Sequence, residues 1–266
     1  GDGLKAQYSR YTSNAYDCCT QYLLSDCIQT GYNEKMTATE SPSVPEIYKE
    51  EPFAKKYDAL QLVFEVLLKK NLIKKLCASL VAHSEGHTIE TIVDFGTGTR
   101  RMLKDLEASF PNAKLIGLDG SLAMLGQQSS HSDTNNLAVA ETQHPPIADG
   151  SIDIATACMA TSYTEDPMTL LASMASTLKV GGLLGLIDSR LPRIKAIQEL
   201  SLAANAMYGD TPETVHALTQ LYAKLVGDRK IELRTGGNSI TLELVQITGD
   251  FAENWGFFGC VLRRTS

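Results

Sequence analysis

The chain has 266 residues, 43% of them apolar and 21% charged, which suits one large globular α/β domain with additions and falls short of two full domains. A net charge of −7 argues against a broad electropositive surface for nucleic acid, and no apolar run approaches the ~20 residues of a membrane span. The six cysteines, Cys18, Cys19, Cys27, Cys77, Cys158 and Cys260, lack both zinc-type spacing and the density of a disulfide scaffold. They read as free thiols of a cytoplasmic protein, with Cys18, Cys19 and Cys27 the group most open to oxidation. No secretion signal opens the chain, though a start on Gly1 rather than Met leaves a removed leader open.

The stretch through Gly31 is rich in Tyr and Cys and is compatible with a helix, and Thr37 to Pro45 reads as a boundary loop. This gives an N-terminal extension over 1–46 and a main domain over 47–266. Leu60, Val63, Phe64, Leu67 and Leu68 then recur at helical spacing. Alternation follows. Strands are expected at Thr91 to Phe95, Lys114 to Leu118, Asn136 to Ala140 and Ile152 to Cys158. Helices are expected at Arg101 to Ala108 and Leu122 to Gln128. Asp166-Pro167 opens a helix to Leu178, Gly181-Gly182 stops it, and Leu183 to Ile187 is a fifth strand. The order predicts a doubly wound, mostly parallel sheet. Two helices, Ile194 to Met207 and Pro212 to Val226, then interrupt the pattern as a helical lid over 191–228. Ile240 to Ile247 and Phe257 to Leu262 close the chain as strands, with Ile231 to Leu233 a further strand candidate.

Asp94-Phe95-Gly96-Thr97-Gly98-Thr99-Arg100 sits at a strand-to-helix junction, where glycines let the backbone turn sharply beside a ligand. The following helix aims its N-terminal N–H groups at the same point. Alone, such a turn serves many nucleotide folds and some purely structural bends. Asp119, about 20 residues on, ends the second strand where a carboxylate can accept both hydroxyls of a ribose. Glu141-Thr142 follows the third strand, where a carboxylate can accept from an adenine amino group. An acid before the first glycine and no third Gly or Ala in register weigh against a nicotinamide-binding turn.

Val93 to Arg100, Gly117 to Ser121 with Met124-Leu125, Ala148 to Ile154, and Leu178 to Gly182 together resemble class I S-adenosylmethionine (SAM)-dependent methyltransferases. The resemblance is nearest to the small-molecule branch that includes quinone-biosynthesis C-methyltransferases, and it covers about Phe53 to Asp188. It implies a Rossmann-like sheet of about seven strands with the last antiparallel. It also implies SAM as cofactor and S-adenosylhomocysteine as product. Residues matching Asp94, Phe95, Gly96, Thr97 and Gly98 would hold the methionine part of SAM. Asp119 with Gly120 would hold the ribose, and Glu141-Thr142 the adenine. Tyr57 matches a tyrosine that closes over the cofactor, or else covers the core. Arg100 stands where many members carry a third glycine. It either crowds the methionine end or points outward, while Arg100 or Arg101 pairing with the SAM carboxylate is the sharper expectation.

Methyl transfer from a sulfonium needs alignment first and a base only if the nucleophile arrives protonated. The fourth-strand end, Cys158 to Asp166, offers Met159, Ser162 and Tyr163 to an acceptor, with Tyr163 and Glu165 as candidate proton acceptors or else rim residues. Arg190 and Arg193 could hold an acidic acceptor, beside Tyr208 of the lid. No cluster has metal-ligand spacing. The expectation is transfer to a small-molecule acceptor through O, N, S or C, without nucleic acid or membrane span. A protein or nucleic-acid methyltransferase, or a SAM binder without transfer, are the alternatives. Tyr8, Tyr11, Tyr16 and Tyr22 would complete the lid or form a homodimer contact.

Overall fold

The computed structural model describes residues 46–54, 57, 70–127, 136–164, 166–192, 195, 198–199, 201–202, 211–235, 237–248 and 256–266. Residues 1–45 of the N-terminal extension, the expected helix through Leu60 to Leu68, most of the expected lid helix Ile194 to Met207, and Glu165, Arg193 and Tyr208 lie outside these residues.

Eight strands form one sheet: β1 (Thr91–Phe95), β2 (Lys114–Asp119), β3 (Leu137–Val139), β4 (Ile152–Cys158), β5 (Leu178–Ser189), β6 (Lys230–Thr235), β7 (Asn238–Ile247) and β8 (Phe257–Arg264). Their order is β3-β2-β1-β4-β5-β8-β7-β6. The first five run parallel to one another, while β8 is antiparallel to both β5 and β7, and β6 to β7. The helices are α1 (Glu46–Lys49), α2 (Lys70–His83), α3 (Arg101–Ser109), α4 (Leu122–Leu125), α5 (Pro167–Thr177) and α6 (Pro212–Asp228). The fold is a Rossmann-like mixed α/β sheet, mostly parallel in its first half, as the alternation of short apolar runs and helices predicts.

Strand alternation sends successive residues to opposite faces, and the core follows it. On one face Val93, Ile116 and Leu118 join a single buried cluster with Leu184 and Leu186 of β5, Leu170, Leu171 and Met174 of α5 and Leu218, Tyr222 and Leu225 of α6. Ile92, Leu115 and Ile154 pack under Leu72, Ile73, Leu76 and Leu80 of α2 and Met102, Leu103 and Leu106 of α3. The sheet is thus covered on both faces, which its near-continuous apolar central strands require.

One sequence reading needs correction. The helix after Pro167 ends at Thr177, and Gly181-Gly182 belongs to β5, which begins at Leu178. Ile152 pairs with Leu178 but Ile154 with Leu183, so the intervening residues bulge out of the ladder. Gly181 has φ +87, and a Cβ on Gly182 would lie 2.8 Å from the Lys179 carbonyl, so the bulge uses both glycines. The helix end is met from across the sheet, where Arg264 Nη1 donates to the carbonyls of Ala175, Ser176 and Leu178.

The strand candidate at Ile231 to Leu233 forms and brings the sheet to eight strands. Lys230–Thr235 is the outer strand β6, whose Ile231 and Leu233 face the core while Lys230, Glu232 and Arg234 face out. Charged side chains along an outer strand also discourage pairing with another chain. No helix among the described residues is long and apolar enough to cross a membrane.

Candidate functional site

The strand order reverses between β1 and β4, and ligands of open α/β sheets bind outside the strand ends at such a point. A cleft with about 470 Å³ of space, open to solvent, lies there. Asp94, Gly96, Thr97 and Gly98 line it from β1 and its turn, Arg101 and Met102 from α3, Ile73 from α2, Cys158 and Met159 from β4, and Tyr57 from the N-terminal side.

The turn after β1 explains its own sequence. Gly96 has φ +68 and Gly98 φ +52, and a Cβ on Gly96 would come within 2.5 Å of Ala160 Cβ. Only a glycine lets the backbone pass that close. Arg100 also occupies the left-handed region, at φ 68 and ψ 25, which accounts for the glycine that resembling sequences carry there. Its side chain turns away, Nη2 donating to the Gln127 carbonyl at 2.7 Å, so it points out rather than crowding the cleft. Arg101 lines the cleft instead. Phe95 is fully buried in the α5 and α6 core, so it offers the site backbone only.

Two carboxylates bracket the turn. Asp94 is 1% exposed, and its Oδ1 accepts from Thr156 Oγ1 at 2.7 Å. Burial pushes its carboxyl up to about 7, with the nearby Asp119 adding to the shift and the Thr156 and Thr97 side chains opposing it. Asp119 ends β2 and accepts from Gly98 N at 2.7 Å and Ser121 N at 2.8 Å. Burial raises it to about 6 against those two hydrogen bonds. Each carboxylate oxygen retains a second acceptor direction. Asp119 therefore braces the glycine turn, a role its position in sequence did not disclose.

Glu141 lies beside Asp119, because Ala140 N donates to the Asp119 carbonyl at 3.0 Å. Glu141 and Thr142 are half-buried and stand outside the lining of the cleft, and the Glu141 carboxylate is 4.0 Å from His144 Nδ1. Gly120 is buried at the β2 end. Tyr57 is edge-on to Tyr48, 5.9 Å between ring centroids, in a cluster with Phe53, Ala123 and Met124. Ser121 ties that cluster down by donating to the Tyr48 carbonyl at 2.6 Å while capping α4.

On the β4 side, Met159 has φ 58, an uncommon conformation for a long side chain, and its N–H donates to the Ile187 carbonyl at 2.7 Å. The 3₁₀ turn Thr161–Tyr163 follows. Asp188, at the end of β5, holds that turn. It accepts from Thr161 N at 2.9 Å, from Thr161 Oγ1 and from Ser189 N at 2.8 Å, and the buried Ser162 hydroxyl sits beside it. Burial raises the Asp188 carboxyl against these donors. Arg190 stands two residues on, its guanidinium 4.7 Å from the ring centroid of the buried Tyr222. Thr156 and Asp188 escaped the sequence reading. The available signal was a polar side chain inside an otherwise apolar strand.

Comparison with known proteins agrees with this geometry. Residues 93–186 match the family described as "Methyltransferase domain". Two curated relatives are malonyl-[acyl-carrier protein] O-methyltransferases. The Hahella chejuensis protein is 30% identical over 48% of this chain and 46% of its own length, and the Xylella fastidiosa protein 31% identical over 35% and 32%. The match thus spans less than half the length of either, and neither bears a quinone C-methyltransferase name. The plantazolicin methyltransferase BpumL, solved with a pentazolic desmethylPZN analog and SAH, shares the fold at TM-score 0.52 and 12% identity, over 83% of this chain and 98% of that one. Residues 93–186 thus match a methyltransferase domain, set on a Rossmann-like sheet.

Proposed function

We propose that the whole chain transfers the methyl group of SAM to a carboxylate oxygen of a small or carrier-linked acyl acceptor. The observation that carries the cofactor half is the buried Asp94 carboxylate beside the Gly96 turn, facing a cleft at the β1/β4 switch point. These residues fit SAM. A glycine turn that no Cβ could replace admits close backbone approach, and a buried carboxylate at the cleft suits a ligand carrying positive charge. Asp94, Gly96, Thr97 and Gly98 would hold the methionine end, Asp119 and Gly120 the ribose, Glu141 and Thr142 the adenine, with Tyr57 closing the cleft. The carboxylate half draws on the O-methyltransferase names of the two relatives.

SAM supplies a methyl group already activated by its sulfonium. Bound in this cleft, it would deliver that methyl group in line to an acceptor oxygen, leaving a methyl ester and S-adenosylhomocysteine. A carboxylate arrives ionised, so Tyr163 and Glu165 need take no proton in this chemistry. What this chain must do is align the acceptor and exclude water. Met159, Ser162 and Arg190, with Tyr163, Arg193 and Tyr208, form the acceptor side in this reading.

Titration calorimetry with SAM and S-adenosylhomocysteine tests the cofactor half, and absence of binding by both near 1 mM would sink it. Transfer of labelled methyl to a malonyl thioester of acyl-carrier protein tests the other half. A carboxyl methyl ester releases volatile methanol in mild alkali, whereas N-, S-, C- and ether O-methyl groups do not. Label that stays non-volatile would assign a different acceptor atom.

A further inference from the structure

β1 and β4 are neighbours in parallel register, and the register sets Asp94 opposite Thr156. Both side chains are buried, Asp94 at 1% exposure and Thr156 at 0%. Between Ile154 and Ala157 the strand is otherwise Ile and Ala, and valine would fill the same volume as threonine. What threonine adds is one hydroxyl, and that hydroxyl donates to Asp94 Oδ1 at 2.7 Å.

We propose that Thr156 is a positioning residue for the cofactor, fixing the Asp94 carboxylate in one orientation at the cleft and keeping it ionised there. The role rests on the reading that SAM occupies this cleft. Its physical basis is the cost of a charge out of water. A buried carboxylate without a donor takes up a proton, whereas a hydrogen bond to the charged form holds it ionised. The groups around Asp94 pull in different directions. Asp119 from β2 and burial favour the proton, and the Thr156 and Thr97 side chains oppose it. Cys77 on α2 is itself pushed up to about 12, so it stays neutral and adds no charge. Arg101 from α3 and Cys158 from β4 share the cleft. Removing the Thr156 donor therefore shifts the Asp94 carboxyl further toward its protonated form.

Calorimetry with S-adenosylhomocysteine from about pH 6 to 9 tests this, on wild type, Thr156→Val and Thr156→Ser, with denaturation curves to confirm folding. Thr156→Val should weaken binding about tenfold at pH 7, the loss of one hydrogen bond to a charged group. It should recover toward wild type as the pH rises. Thr156→Ser keeps the hydroxyl and should keep both the affinity and its pH dependence. In an Asp94→Asn background Thr156→Val should cost nothing further. If Thr156→Val fails to fold, Thr156→Ala serves the same comparison. Wild-type affinity in Thr156→Val at every pH, a serine variant as weak as the valine one, or additive losses in the double variant would each overturn the assignment. Failure of the wild type to bind at all would instead strike the cofactor reading itself.

Discussion

Arg100 and Arg101 are adjacent in sequence and have opposite fates. A residue with a Cβ in the left-handed region costs roughly 1–2 kcal/mol, and Arg100 offsets part of that through its bond to the Gln127 carbonyl. Its neighbour begins α3 with the side chain in the cleft. Arg101→Ala is therefore expected to weaken S-adenosylhomocysteine about tenfold by calorimetry, and Arg100→Ala to leave it within about twofold. The reverse order would move the carboxylate partner to Arg100. Sequence narrowed the choice to these two residues but not to one, because the direction of a side chain depends on a backbone angle. Thr156 was hidden for a related reason. A threonine in a strand is an ordinary β-former, and only the pairing of β4 with β1 gives it a charged neighbour.

The loops that follow β4 and β5 are joined by one buried carboxylate. Asp188 gathers the Thr161 hydroxyl and two backbone N–H groups, so it fixes the turn between β4 and α5. Thr161→Val removes one donor and leaves the backbone bond in place. It should lower unfolding free energy by about 2 kcal/mol in urea titration, as for a hydrogen bond to a charged group, without altering S-adenosylhomocysteine affinity. A change in cofactor affinity instead would couple this turn to the cofactor side of the cleft. At this scale the sequence located most elements within a residue or two, since β1, β2 and β4 are apolar runs with clear breakers. It misread Gly181-Gly182 as a helix stop. The helix ends earlier, where Leu178 turns extended and Arg264, some ninety positions away, takes the last carbonyls, and the glycines instead shape the bulge that opens β5.

Across the whole molecule, the raised carboxyls give stability a definite pH dependence. Asp94 and Asp119 stand at about 7 and about 6, above the 3.8 of a free side chain. Between these limits the folded chain keeps protons that the unfolded chain has released, so stability falls as pH rises through this window and the cost is complete above about 7. Asp153 and Asp166 are lowered, so their stabilisation persists through the window and is lost only in acid. Ligand-free Tm should thus decline from about pH 5 to 7.5 by scanning fluorimetry, and the decline should be smaller in Asp94→Asn. Equal slopes in both proteins would contradict a buried, titrating Asp94. Composition, apolar periodicity and the run Asp94 to Gly98 by themselves determined the α/β class, the parallel half of the sheet and the place of the glycine turn, because these depend on local pattern and on backbone geometry that only glycine provides. Tertiary structure alone decided the eighth strand, the partner of Asp94, the anchoring of the acceptor-side turn by Asp188 and which arginine enters the cleft. Each of those is a contact between residues far apart in the chain, set by strand register and burial, and neither is written in any one segment.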